Sequence, residues 1–377
     1  KLETSTPPEV LREELTDLYL AAAVCGSNAD SLVFIEELPP QARDRARERL
    51  ARMQALDARG RLTPHGRSFF QLPLDPLFAH LIMSMPGRKT REMMVDLSAA
   101  LSVQGKLFSP PKTERDRERL KARAPEACDA MTLIRLLRMA GDGPQTHTEK
   151  EALRIAEQTR ELLDLPPLRE ASAPDRDAFL RAVIRSAPEL VYVRRTKRRQ
   201  AMGNGTSEVE IGNDSRMPDR SEAAVVFDEH SIPGTGTSRT LSFATCLAPV
   251  ALSVLNRLGL GRVEYGEPRL TQGAIVVRAG RIYAGREIAR EEICPVGREL
   301  CRALAVLILN NRYWKGTGAQ LTADCEAWNL YLCLGFATGE EVHPKDWLRR
   351  RLERLGLETQ EDLDLLDPRD VRFQGIP

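Results

Sequence analysis

No C-x-x-C pair occurs among the seven cysteines, at 25, 128, 246, 294, 301, 325 and 333, and no histidine completes a zinc pattern with them. The common structural zinc modules are thereby excluded, and buried, reduced thiols are the expectation. No signal peptide opens the sequence and no apolar run is long enough to span a bilayer. The chain therefore reads as cytoplasmic, with no membrane partner. Aromatic residues make up only 5 %, few for a protein that would hold bases mainly by stacking. An excess of one charge is missing too: 55 Lys and Arg face 54 Asp and Glu, leaving +1. Where the cations cluster then matters more than their total.

A phosphate loop is also absent. Walker A needs G-x-x-x-x-G-K-[ST], because its amides cradle phosphate and its lysine neutralises it. Gly105-Lys106 is followed by leucine and preceded by Ala100 where the first glycine should stand, and Gly87-Arg88-Lys89-Thr90 lacks the Gly-Lys step. Ala224-Val225-Val226-Phe227-Asp228-Glu229-His230 imitates a Walker B strand, yet its order is D-E-H rather than D-E-x-H. Without an upstream phosphate loop it reads as a barrel strand ending in a charged turn. Histidines at 65, 80, 147, 230 and 343 are dispersed, and no G-x-S-x-G elbow occurs. No catalytic residue, metal site or resident cofactor is expected of this chain, and an independent enzyme within 220–377 lacks any motif.

What is present is enough apolar residue, 42 % of 377, for two or three packed domains. The fold class is multidomain α+β. Residues 1–63 read as a winged helix: a helix over 7–25, then one from Pro39-Pro40 with Ala42, Ala46, Leu50 and Met53 on one face, then two short arms around a turn at 56–62. Residues 64–186 read as a helical bundle. Thr63-Pro64 and Asp75-Pro76 each present a cap followed by proline. Helical patterns continue over 88–104, 113–139, 147–164 and 175–186, between breaks at Pro110-Pro111, Gly141-Asp142-Gly143-Pro144 and Pro166-Pro167. Residues 187–245 hold short strands at 190–193, 209–211, 224–227 and 240–243, which suggest a small barrel, an oligonucleotide-binding (OB) type being one candidate. Residues 246–377 form an α/β extension: a helix near 249–258, strand-like runs at 262–265, 274–278 and 281–288, then helices over 296–311, 320–335 and 344–356. Gly203–Arg220 is the most loop-like stretch. The sequence opens on Lys1 and stops at Phe373-Gln374-Gly375-Ile376-Pro377; both ends read as cut from something longer.

The sharpest positive feature is Arg194-Arg195-Thr196-Lys197-Arg198-Arg199, five cations in six positions directly after an apolar strand. Such clusters bind phosphates and release counterions, the sequence-blind part of nucleic-acid affinity. The bland alternative is a solvated loop faced by acids such as Glu208 and Glu210. Glu114–Arg123, which alternates sign, reads as a solvated helix face.

The stretch Gly60–Pro76 resembles a signature of DEAH-box helicases, L-T-x-x-G-x-x-x-x-x-L-P-[LV]-x-P. It matches at Leu62, Thr63, Gly66, Leu72, Pro73, Leu74 and Pro76, with Asp75 as the cap between, whereas Leu77 stands where the family usually has a basic residue. In that family this signature joins the winged helix to a helical "ratchet" bundle. Thr6-Pro7-Pro8-Glu9-Val10-Leu11-Arg12 is similar to the T-P-E-I-x-R helix that follows the second RecA-like motor domain, and Met93–Gln104 to a helix with an A-x-L-S run. Val191–Arg195 and Gly203-Asn204-Gly205 resemble the bacterial HrpB type best. The segment after 245 matches nothing quotable. The resemblance implies a C-terminal helicase-associated region without its motor. It further implies single-stranded RNA as partner, with DNA left open, and RecA-like motor domains elsewhere in the protein that bind ATP and Mg. It also raises the weight of Arg194, Arg195, Lys197, Arg198 and Arg199 as nucleic-acid contacts. The rival reading is a non-enzymatic scaffold docking a protein activator of the motor, with Trp314, Trp328 or Trp347 as anchors rather than core residues.

This chain is predicted to show no ATPase activity with or without RNA. Stoichiometric, micromolar ATP binding by calorimetry would overturn the motif reading.

Overall fold

Proline opens α2 (Pro40–Arg52), α3 (Pro64–Phe70) and α4 (Pro76–Ser84), at a position where its missing N–H would have had no intrahelical acceptor. These helices belong to a computed structural model that describes residues 14–105, 107, 111, 113–140, 145–232 and 241–373. The Thr6–Arg12 segment, Lys106, Pro110 and the 141–144 break lie outside the described residues. The chain separates into two compact units, Lys1–Leu260 and Gly261–Pro377.

In the first unit, α1 (Thr16–Val24) packs on α2, whose Ala46, Leu50 and Met53 are buried as the periodicity predicts. Leu56 and Leu62 then form an isolated antiparallel bridge. The Asp57 carboxylate closes the turn between them by accepting from the backbone N–H groups of Arg59 and Arg61. At the following corner, Thr63 Oγ1 accepts from Gly66 N at 2.9 Å and donates to the Gln54 carbonyl at 2.6 Å. Asp75 caps α4 through Leu77 N at 2.8 Å. Gly66 has its own reason to be glycine: a Cβ there would stand 2.4 Å from the Ala55 carbonyl oxygen. Leu72 and Pro76 are buried, while Pro73 and Asp75 face solvent.

The bundle continues with α5 (Arg88–Leu101), α6 (Glu114–Arg123), α7 (Asp129–Met139), α8 (His147–Leu162) and α9 (Arg176–Ser186). The single helix expected over 113–139 is two, because Pro125 cannot donate and forces Ala124 out of helical geometry. Three helices meet at one buried carboxylate. Asp96 of α5 is bidentate with Arg160 of α8, at 2.7 and 2.9 Å to Nη2, and accepts from Arg138 Nε of α7 at 2.6 Å. Burial pushes the Asp96 carboxyl up against the pull of both guanidiniums. Removing one partner from such a buried set typically costs about 3–5 kcal/mol.

Five strands then close a barrel in the order β1-β2-β3-β5-β4: β1 (Val191–Arg194), β2 (Ala201–Gly203), β3 (Glu208–Ile211), β4 (Ala223–Ile232) and β5 (Leu241–Val250). All pairings are antiparallel except β3 with β5, which run parallel, with Ile211 opposite Ala244. Tyr192, Met202, Val209, Ala224, Val226 and Leu247 fill the interior. On the outer face of β4, Phe227 stacks on Phe179 of α9 at 5.9 Å. Strand β2 falls within the stretch from residue 194 to 208, where no strand was expected. Strand β5 runs five residues past the boundary set at 245, and the short α10 (Leu252–Arg257) follows it. Asp228 and Glu229 lie at a register shift inside β4, not at a turn.

The second unit is built on β8 (Ala274–Tyr283). It pairs along one edge with β6 (Arg262–Tyr265) and β7 (Arg269–Thr271), and along the other with β9 (Arg286–Ile293). The run expected at 281–288 is the β8–β9 hairpin, turned at Ala284 and Gly285 with φ of 48° and 75°, a two-residue pattern that suits the twist of paired strands. Ile275 and Val277 pack under α11 (Gly297–Leu309), and α12 (Thr317–Cys333) and α13 (Pro344–Arg354) complete the core through Leu321, Leu348 and Leu352. Trp314 and Trp347 pack half-buried against this core, whereas Trp328, also half-buried, lies outside it and edges onto Phe373. Of the seven cysteines, 25, 294 and 333 are exposed, contrary to expectation. Among the described residues no helix is long and apolar enough to cross a membrane, and no cluster of acids, cysteines and histidines could hold a metal ion.

Thr63→Ala and Asp75→Ala should each lower stability by about 1 kcal/mol through lost capping, and Gly66→Ala by more, since its Cβ meets backbone. Urea denaturation checks all three. Unchanged stability together with lost RNA binding would mean that the corner is a ligand site.

A second test concerns His65 and His80, whose ring nitrogens lie 3.0 Å apart at this corner. Burial lowers both pKa values below 6.5. The unfolded chain then binds more protons than the native one between the folded values and 6.5. Stability should fall as pH drops below about 6.5, and His80→Gln should flatten that dependence. An unaltered pH profile in the variant would remove the pair as its cause.

Candidate nucleic-acid interface

Strand β1 delivers the basic run to the β1–β2 turn, and the five cations part there. Arg194, the last residue of β1, is only 2 % exposed. Its Nε donates to the Ser221 carbonyl at 2.7 Å, and its Nη1 to the Arg199 carbonyl. It is built into the barrel wall and is not presented to solvent, which corrects its expected place among the phosphate contacts. Arg195 lies across β2, with its guanidinium 2.6 Å from where a Cβ on Gly203 would stand, and pairs with Glu208 at 3.0 Å. Arg198 pairs with the other oxygen of the same carboxylate. Arg199 reaches Glu222 at 3.4 Å and the Asp219 carbonyl at 3.0 Å. Lys197 is exposed. One carboxylate, Glu208, thus serves two arginines, and the turn keeps a surplus of positive charge. Of the two acids expected opposite, Glu208 faces the run; no bond from Glu210 to it occurs among the described residues.

The same end of the barrel gathers further cations that sequence spacing did not connect. Residue 193 of β1 is opposite Ala223, where β4 begins, and Ala223 is opposite Val250, where β5 ends. Arg220 therefore stands just before β4 and Arg257 closes α10, beside Arg176 and Arg181 of α9. They lie up to 63 residues from the run in sequence (194 to 257), and only the closure of the barrel brings them near it.

The opposite polarity holds in a cleft of about 940 Å³ between the corner, the bundle and the barrel. Glu14, Asp17, Asp75, Glu189, Asp228 and Glu229 line it against Arg49 and Arg52. Burial, then Asp75 and Glu14, raise the Asp17 carboxyl; burial, then Asp228, raise that of Glu229. Carboxylates this close already disfavour one another's charge, so a phosphate backbone is unwelcome there.

A helical bundle followed by a closed five-stranded barrel and a further α/β unit is a fold that this chain shares with solved helicase structures. The resemblance to the HrpB kind is borne out in two ways. Solved structures with this fold include the Escherichia coli DExH-box NTPase HrpB, with a TM-score of 0.55 at 13 % identity over 97 % of this chain and 42 % of that one. A second is the Escherichia coli DEAH/RHA helicase HrpB, with a TM-score of 0.51 at 15 % identity over 98 % and 43 %. In sequence, the chain is 30 % identical over 131 residues to the pre-mRNA-splicing factor ATP-dependent RNA helicase prp22 of Schizosaccharomyces pombe, covering 34 % of this chain and 11 % of that protein. The chain thus spans well under half the length of the relatives it matches. No protein-family model matches it.

Proposed function

We propose that this chain is the accessory RNA-binding portion of an ATP-dependent DEAH-box RNA helicase. In this reading a winged helix through residue 63, a ratchet-type bundle through 186 and an OB-type barrel enclose single-stranded RNA. They support its translocation by RecA-like motor domains that carry ATP and Mg and lie outside this chain, in a cytoplasmic protein. The observation that carries it is the barrel itself. Its closed five-strand order with β3 parallel to β5 supports an OB-type barrel, a fold whose β1–β2 loop is one of its usual oligonucleotide contacts. In this chain that loop is Arg195, Lys197, Arg198 and Arg199. Phosphate contacts are blind to sequence, so affinity should be similar for homopolymers of different bases.

The scaffold reading has one feature in its favour. The end of α12 exposes Leu330, Tyr331, Leu334 and Phe336, the last 75 % accessible. Binding through such a surface to a protein activator would be nearly indifferent to salt, whereas RNA binding weakens steeply with it.

Arg195→Gln, Lys197→Gln and Arg198→Gln combined, with Arg194 retained for the barrel, should weaken homopolymer binding uniformly. If all three contact phosphate, the log–log salt slope should fall by about two units, at about 0.7 per contact on single strands. Unchanged affinity and slope in the folded variant would leave the turn as solvated surface.

A further inference from the structure

A second cationic site lies behind the β1–β2 turn. A cavity of about 580 Å³ opens between the start of α9, the segment before β4 and the β5–α10 junction. Four arginines, Arg176, Arg181, Arg220 and Arg257, line it against two acids, Asp177 and Glu222, a formal surplus of two positive charges. Glu222 is itself engaged by Arg199. Among the described residues Arg181, Arg220 and Arg257 make no ion pair. Arg176 donates Nη2 to the Pro249 carbonyl and keeps its Nε buried without a partner. The floor is apolar, formed by Leu180, Val250, Leu252 and Val254.

Charge, shape and floor each narrow the occupant. The size lies within the range of about 300–1,000 Å³ usual for small-molecule sites, and a long strand would need an open groove. A surplus of two matches a phosphomonoester, which carries about −1.5 to −2 at neutral pH, better than the single charge of a phosphodiester. Arginine forks suit three terminal phosphate oxygens, and their fixed geometry favours several bonds at once. An apolar floor beneath them suits the ring and sugar of a nucleotide rather than a bare inorganic ion.

We infer that this cavity binds the terminal phosphate of a nucleotide, with the nucleoside on the Leu180–Val250 floor. The nucleotide is either the phosphorylated end of a bound strand or a free nucleoside monophosphate, not a triphosphate, whose larger charge exceeds the surplus of two. The first source rests on the RNA-binding reading above; the second does not.

Fluorescence anisotropy on the full chain separates these cases. Short homopolymer strands would carry a 5′-hydroxyl, a 5′-phosphate or a 3′-phosphate, with uridine monophosphate titrated separately as competitor. The test variant is Arg181→Gln with Arg257→Gln, both exposed, checked for retained folding by circular dichroism. A terminal phosphate should tighten binding by about tenfold, the worth of one or two charge-assisted hydrogen bonds. The variant should erase that increment, read as the ratio of phosphate-ended to hydroxyl-ended affinity within the same protein, so that any general loss from the two arginines cancels. Mononucleotide binding lost in the variant, without strand binding, would retain the cavity assignment and reject the RNA reading. Indifference to the terminal phosphate with no mononucleotide binding overturns the inference. So does a preference, or mononucleotide binding, that survives in the variant.

Discussion

The carboxylate of Asp129 leaves the first turn of α7 and accepts three hydrogen bonds from the barrel side. Donors are Ser215 Oγ at 2.7 Å, Arg216 N at 2.7 Å and Leu247 N at 3.1 Å. Arg216 returns the contact, with its guanidinium on Thr132 Oγ1 at 2.5 Å and the Ala124 carbonyl at 2.9 Å. Burial raises the Asp129 carboxyl, and these donors, with the helix N-terminus beneath, offset only part of that rise. The energetics are lopsided: an acid this deep is tolerable only while its partners are present. The loop before β4 and the middle of β5 are thereby tied to the bundle. The basic end of the barrel, where α9 meets β5, depends on that tie for its shape.

The basic run illustrates how one patch of sequence divides into two jobs. Five cations in a row look equivalent on paper. Their fates are set by partners that are remote in sequence, the carbonyl of Ser221 for Arg194 and the carboxylate of Glu208 for Arg195 and Arg198. Nothing local distinguishes Arg194. It is the last residue of a strand that is buried along its whole length.

Legibility followed the range of the interactions. The corner at Thr63 and Asp75 could be read because capping is settled within three residues, and the helix starts at Pro40, Pro64, Pro76 and Pro344 for the same reason. Strand β2 could not, since Ala-Met-Gly carries little strand preference and is a strand only because β1 and β3 flank it. The extent of β5 was hidden likewise, its last residues being fixed by pairing with Ala223 and Ala224. Of the candidate site, the turn was visible as a charge run. Arg176, Arg181, Arg220 and Arg257 were not, because isolated arginines acquire meaning only once a barrel closes. The pairing of His65 with His80, fifteen residues apart, was missed for a similar reason: the reversal between α3 and α4 brings them together.

The burial of Arg194 has a thermodynamic side. Its guanidinium spans the base of the β1–β2 turn, bonding to the carbonyl of Arg199 at the far end and to that of Ser221 next to β4. A six-residue turn that would otherwise sample many conformations is held at both ends by a residue that never meets solvent. The entropy of arranging the outward cations is then lost when the chain folds rather than when an anion arrives. Arg194 would thus contribute to affinity without contact, by keeping the spacing of its neighbours fixed before any ligand is present.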